Sequence, residues 1–168
     1  MSESDLDVGE LLRGLDDPVA VERPSDFDDA GERGRAQRFA AALREKFGVV
    51  EAEIGPPKIQ DASFFAHFAV PPEQSASGHG LWVRVSNFGR LASAGAQLPG
   101  AHGNEDLADL VDSAEWETLL ALLSEHAYRY VSQDQLFTEY DGQNGPLIHF
   151  YRETRGRLSW WIRFFDWI

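Results

Sequence analysis

Apolar residues recur at helical spacing between residues 35 and 47, in the stretch RAQRFAAALREKF. Intervals of three and four residues place side chains on one face of an α-helix, so the segment predicts a helix with a single buried stripe. Ser25 is a candidate N-cap ahead of this helix, and Gly48 is a natural C-terminal stop. The predicted stripe consists of Ala36, Phe39, Ala40, Leu43 and Phe47.

The same spacing returns over residues 113–126, where Ser113 is the candidate N-cap of a second long helix. A shorter helix is predicted to begin at Ser132, because Ser132 and Gln135 have the spacing of a capping box. Asn104 is a candidate cap for another short helix. The apolar stripe of the second long helix is Trp116, Leu119, Leu120, Leu122 and Leu123.

The hydrophobic period changes to two after Gly48, which indicates strands. One of these segments is apolar on both sides, as is typical of a central strand. Another contains Gly89, which permits a bulge or a tight turn in one long bent strand. The predicted strands cover residues 49–54, 62–70 and 81–95, with a short extended piece at 128–131.

Five aromatic residues occupy the last nine positions of the closing stretch RLSWWIRFFDWI. With the preceding LIHFYRE and Gly156 at the turn, this stretch predicts a β-hairpin. A helix also groups its aromatic residues, but β-branched and aromatic content favours the strand. In that strand Trp161, Arg163 and Phe165 share a face that either lies under a helix or contacts a partner.

These elements predict an α+β fold, with an antiparallel sheet of about five or six strands and helices packed on one face. Residues 25–168 are expected to form this single domain. Residues 1–24 are predicted to be an acidic N-terminal arm. It is either a solvated tail or a short amphipathic segment that docks loosely through the leucines of DLDVGELLRGLDD.

The charge is strongly negative and uneven, with a formal net charge of −13 and a pI near 4.7. Residues 1–31 hold ten acidic side chains against two arginines, which is −8 of that total. Such a surface repels phosphate groups, so we expect no binding to nucleic acid or to anionic membranes. It favours a basic protein partner, although the charge also fits a role in solubility alone.

Signatures of chemistry are missing from the sequence. There is no cysteine, and no two of the five histidines have the spacing of a metal pair on one helix. No phosphate-binding loop or nucleophile elbow is present. We therefore expect neither a metal, nor a cofactor, nor an enzymatic activity. The N-terminus has no secretory signal pattern, and cysteine-free composition suits a reducing compartment, so a cytoplasmic location is predicted.

The stretch YVSQDQLFTEYDGQNG, followed by SWWIRFFDWI, resembles the closing segment of immunity proteins from bacterial polymorphic toxin systems. The resemblance covers roughly residues 128–168 and consists of a turn and aromatic positions. It implies an α+β protein that binds a cognate toxin of the same strain and neutralises it. An acidic partner of this kind is expected to occlude a basic active site, as a monomer or a weak dimer.

Candidate partner contacts are acid-rich helix starts and loops, together with two residues of the last predicted strand. Two alternatives stay open. One is a small-ligand-binding domain whose sheet encloses an apolar pocket lined by Phe64, Phe68, Trp82 and Trp161; the other is a secretion chaperone or adaptor. The candidate contacts are Asp26, Asp28, Asp29, Glu105, Asp106, Asp109, Asp112, Asp134, Glu139, Asp141, Trp161 and Arg163.

Overall fold

A computed structural model describes residues 3–97, 107–154 and 156–168. Over these ranges the chain forms a five-stranded sheet and six α-helices, which confirms the α+β class. The predicted capping box at Ser132 is present. The helices are α1 (Glu3–Leu15), α2 (Asp29–Phe47), α3 (Ser113–Glu125), α4 (Gln133–Leu136), α5 (Gly145–Thr154) and α6 (Trp160–Phe165), and the strands are β1 (Glu51–Ile54), β2 (Phe64–Val70), β3 (Leu81–Ser86), β4 (Leu91–Ala96) and β5 (Arg129–Tyr130).

The sheet has the strand order β1-β2-β3-β4-β5, and its first four strands are antiparallel. Strand β5 is parallel to β4, because the chain crosses over through α3 between them. The prediction of one bent strand over residues 81–95 is wrong. Gly89 and Arg90 both have φ of +57°, the signature of a type I′ turn, and they fold the segment into the β3–β4 hairpin.

One face of the sheet packs against α2 and α3. All five residues of the predicted α2 stripe are buried there, which confirms that stripe. Phe39 lies at the centre of this core, with its ring 5.1 Å from that of Phe68 and 5.3 Å from that of Tyr128. Gly48 ends α2 at φ +85°, as predicted, but the N-cap is Asp28 rather than Ser25.

The opposite face of the sheet is covered by α6, so helices do not pack on one face only. Side chains alternate along β3: Val83 and Val85 point into the α2–α3 core, and Trp82 and Arg84 point the other way. The Arg84 guanidinium donates to the carbonyl of Phe165 at 2.7 Å. Helix α6 belongs to a second core, to which α1, α4 and α5 also contribute buried residues.

The predicted C-terminal β-hairpin is wrong, because both of its arms are helical. Ser159 caps α6 by accepting a hydrogen bond from the backbone N–H of Ile162 at 3.3 Å. Aromatic residues four positions apart then stack along the helix, with ring-centroid distances of 5.4 Å for Trp160–Phe164 and 5.3 Å for Trp161–Phe165. The spacing of four residues favours the helix over the strand, because a helix brings these rings together on one side.

The N-terminal segment is helical and docks through its leucines. Leu12 is 1% exposed and lies in the second core, with Leu11 and Leu15 packed beside it. Leu15 contacts Gly89 at the β3–β4 turn, where any Cβ atom would overlap it. Of the two alternatives for this segment, docking of an amphipathic helix is the one that the structure has.

Candidate functional site

The first acidic group surrounds the start of α2. Asp28 caps the helix, since its Oδ1 accepts the N–H of Gly31 at 3.0 Å. Asp29 lies 3.5 Å from Arg33 and 3.8 Å from Arg23, so its charge is partly compensated. Asp26 is exposed and, with Asp28, borders a pocket of about 180 Å³. Two of these three acids therefore have structural partners.

The second predicted group, Glu105, Asp106, Asp109 and Asp112, is described only in part. Glu105 and Asp106 lie outside the described residues, as does the candidate cap Asn104. Asp109 is exposed in a short 3-10 turn. Asp112, and not Ser113, is the N-cap of α3: its Oδ1 accepts the N–H groups of Ala114 at 3.1 Å and Glu115 at 3.2 Å. The carboxylate of Asp112 thus has a structural role in the free protein.

The third predicted group does converge. Asp134, Glu139 and Asp141 line one groove of about 570 Å³ between α1 and the segment that contains α4. Leu12 and Trp160, which are almost fully buried, contribute to its floor. We call this site the acidic groove. It combines an apolar base with three exposed carboxylates on its rim.

Two rim carboxylates are paired with arginines of the same chain. Arg13 Nη1 lies 2.9 Å from Asp141 Oδ2, and Arg157 Nη2 lies 3.3 Å from Glu139 Oε2. All four side chains are largely exposed, so each pair contributes little to stability, about 0–1 kcal/mol. Asp134 has no ion-pair partner within the part of the chain that the structure describes.

Arg163 was predicted to face a partner, and this prediction is wrong. Its side chain is 0% exposed, and its Nε lies 2.6 Å from Oδ1 of Asp16, which is 1% exposed. The remaining donors of Arg163 bind the carbonyls of Val21 at 2.9 Å and Ala20 at 2.9 Å. Arg163 therefore fixes the loop that follows α1. A buried guanidinium needs such a set of acceptors.

The YDGQNG turn, residues 140–145, holds the other side of Asp16. The Tyr140 hydroxyl donates to Oδ2 of Asp16, and the N–H of Gln143 donates to the same oxygen at 2.7 Å. Burial, and then the hydrogen bond to Asp16, raise the pKa of Tyr140 above its ordinary value. At Gly142 a Cβ atom would overlap Asp16 and the Tyr140 ring, so glycine allows the close approach.

Asn144 completes this network. Its amide nitrogen donates to the carbonyls of Asp17 at 2.8 Å and Ala20 at 3.0 Å, and its Oδ1 accepts the N–H of Leu147 at 2.9 Å, at the start of α5. The YDGQNG turn and α6, which contains Arg163, thus meet on residues 16–21. Sequence reasoning missed Asp16; the only local signal was an Asp pair directly before a proline.

Trp161 lies outside the acidic groove. It is half-buried and stacks between Phe137 at 5.4 Å and Phe165 at 5.3 Å, with its edge toward Trp82 at 5.9 Å. Phe68, by contrast, packs on Phe39 at the opposite face of the sheet. The aromatic residues proposed to line a ligand pocket therefore do not enclose a common space.

A polar row crosses the α6 side of the sheet. His67, Arg84 and Ser93 are direct neighbours on β2, β3 and β4. Burial, followed by the charge of Arg84, lowers the pKa of His67 to about 4, so the imidazole is neutral at pH 7. Burial also lowers the pKa of Arg84. The guanidinium of Arg84 stacks on Phe64 at 4.2 Å, which keeps it in place beneath α6.

Comparison with protein-family models, curated proteins and solved structures gives no match for this chain. Within the described ranges, no group of three or more His, Asp or Glu side chains is arranged to hold a metal ion. No described helix is both long enough and apolar enough to cross a bilayer.

Proposed function

We propose that this protein is a non-enzymatic, acidic binding protein that neutralises a basic protein partner, and specifically that it is an immunity protein for a cognate toxin. In this proposal it acts in the cytoplasm and covers a basic active site of the toxin. The observation that carries the proposal is the convergence of Asp134, Glu139 and Asp141 on one apolar-floored groove.

Charge and shape support binding in different ways. A net charge of −13 attracts a basic protein over long range and accelerates its association. The apolar lining of the acidic groove, which includes the partly buried Val8, offers the apolar contact that usually supplies most of the binding energy. Carboxylates on the rim then fix the orientation of the partner.

The anchoring of one groove wall supports the same function. One wall is α1, and Asp16, directly after α1, is held by Arg163 and Tyr140. A wall fixed in this way does not have to become ordered when the partner binds, which lowers the entropic cost of association. The buried network behind the groove therefore contributes to binding without contacting the partner.

The test is affinity capture from a lysate of the source organism with three tagged proteins. These are the wild type, a groove variant (Asp134→Asn, Glu139→Gln, Asp141→Asn) and a control variant (Glu45→Gln, Glu117→Gln, Glu125→Gln). The control loses the same charge from exposed positions on α2 and α3. Captured proteins are identified by mass spectrometry at low salt and at roughly 0.5 M salt, which screens exposed charges.

We expect the wild type and the control to retain one basic protein that the groove variant loses, with weaker capture at high salt. That protein, expressed alone in a bacterial host, should inhibit growth, and co-expression of the wild type should restore it. Equal capture by all three baits would contradict the role of the groove. A captured protein without toxicity would contradict the immunity role while leaving the binding function in place.

A further inference from the structure

Two arginines of the chain pair with carboxylates of the acidic groove, Arg13 from within its lining and Arg157 from outside it, and their placement indicates how the groove recognises a ligand. We infer that Arg13 and Arg157 are built-in counter-ions of the rim, which arginine or lysine side chains of the partner displace on binding. The expected occupant is a segment of a basic protein with an apolar side chain between two cationic ones. This inference rests on the proposed function and specifies the chemistry of its site.

The geometry shows that the rim accepts guanidinium groups. Arg13 lies over Gly9 on α1 and reaches across to Asp141, so a guanidinium already occupies one side of the groove. Arg157 reaches Glu139 from the loop before α6. The two internal arginines thus approach from different elements and contact different carboxylates. A partner that carries two cations can replace both at once.

Exchange is easy at these positions because the internal pairs are exposed. The side chains of Arg157 and Glu139 are 87% and 74% exposed, so water already competes for this contact. A partner's cation, in contrast, is partly dehydrated when its neighbouring apolar side chain covers the apolar lining of the groove, which includes Val8. Charge-assisted hydrogen bonds strengthen when water is excluded, which favours the incoming cation over the internal one.

Removal of the internal arginines should therefore improve binding. In the variant Arg13→Gln with Arg157→Gln, Asp141 and Glu139 lose their intramolecular competitors. The matched control is Arg38→Gln with Lys46→Gln, which makes the same change in net charge at two exposed positions of α2. If the change in net charge alone raises the affinity for the partner, both variants show it. If removal of the competing arginines raises the affinity, only the Arg13→Gln, Arg157→Gln variant shows it.

The probe is a short capped peptide, Arg-Leu-Leu-Arg, titrated into ¹⁵N-labelled protein and followed by two-dimensional NMR. Its neutral analogue is Gln-Leu-Leu-Gln. We expect the cationic peptide to shift amide signals of residues 8–13 and 134–141, and the neutral one to bind much more weakly. The Arg13→Gln, Arg157→Gln variant should bind the cationic peptide about threefold to tenfold more tightly than the control variant.

Equal affinities in these two variants would overturn the inference, as would shifts confined to other regions or the absence of any shift. A failure of this inference can be distinguished from a failure of the proposed function. Peptide binding in the groove without capture of a toxic partner would sustain the exchange mechanism and remove the immunity role. Capture of a toxin that does not depend on the groove acids would do the reverse.

Discussion

Arg163 and Asp16 are 147 positions apart in the chain and form a buried ion pair, with 2.6 Å between Nε and Oδ1. Neither side chain is measurably exposed beyond 1%. The pair joins the last helix to the loop after the first one, and the YDGQNG turn surrounds the same carboxylate. Arg163 and the YDGQNG turn, which suggested an interaction surface, thus stabilise the interior of the protein.

Replacement of Arg163 by methionine should be strongly destabilising. The variant leaves Asp16 buried without its cation, and we expect the free energy of unfolding to fall by about 3–5 kcal/mol. The measurement is urea denaturation followed by tryptophan fluorescence. Arg157→Met is the control, because its ion pair with Glu139 is exposed and should cost less than about 0.5 kcal/mol. Similar losses in the two variants would contradict a special role for Arg163.

Two glycines of the same turn should respond differently to alanine. A Cβ atom at Gly142 meets the Asp16 carboxylate and the Tyr140 ring, whereas one at Gly145 meets nothing within 4 Å. We expect Gly142→Ala to lower the free energy of unfolding by about 1–3 kcal/mol through overpacking. Gly145→Ala should change it by less than about 0.5 kcal/mol. Thermal or urea unfolding of both variants decides, and equal effects would refute the close approach at Gly142.

Stability should fall between pH 7 and pH 5 through His67. Its pKa drops from an ordinary 6.5 to about 4 in the folded state, where Arg84 and Glu53 are its neighbours across the strands. The unfolded chain therefore takes up a proton first, so stability is present above pH 6.5 and is lost as the pH falls toward 4. We expect the wild type to lose about 2 kcal/mol more than His67→Gln over this interval.

An NMR titration of the His67 imidazole provides the direct check. Its signals should show no protonation until the pH approaches 4, while urea denaturation at pH 7 and pH 5 gives the two stabilities. A histidine signal that titrates near 6.5, or a pH dependence unchanged in His67→Gln, would show that the ring is solvated in the folded protein.

Asp112 offers a test that separates capping from binding. Asp112→Ala removes the N-cap of α3 and should lower the free energy of unfolding by about 1 kcal/mol, while Asp112→Asn keeps an acceptor and most of the stability. Circular dichroism during thermal unfolding compares them. If Asp112 is also a partner contact, the asparagine variant should bind the captured protein more weakly at unchanged stability. Unchanged capture would show that Asp112 acts as a helix cap and not as a partner contact.

Signals that act over a few residues predicted the fold well. The α2 stripe and its glycine stop depend on neighbours three or four positions away, and so does the capping box at Ser132. The closing segment misled the prediction because its aromatic residues satisfy both periods, and the N-cap at Ser159 was not recognised. A sequence pattern that fits both a strand and a helix is decided only by packing, here by the contacts of α6 with Trp82 and Arg84.

The candidate site, like the fold, could be predicted from the sequence only in part. Exposed acids close together in sequence, Asp134, Glu139 and Asp141, were predicted as a group and converge on one groove. The fate of Arg163 was not predictable, because its partner lies at the far end of the chain and an arginine among aromatic residues also fits a binding surface. Asp28 and Asp112 gave charge signals, but the structure uses both as helix caps.

The link between Arg163 and Asp16 also determines the order in which the molecule can be completed during synthesis. The hairpin of β3 and β4 and the packing of α2 on the sheet involve residues made early, and they can form while the chain is still growing. Asp16, however, has no cation until Arg163, 147 positions later, has been made. Helix α1 is therefore anchored only after α6 has been made, and one wall of the acidic groove forms late relative to the sheet.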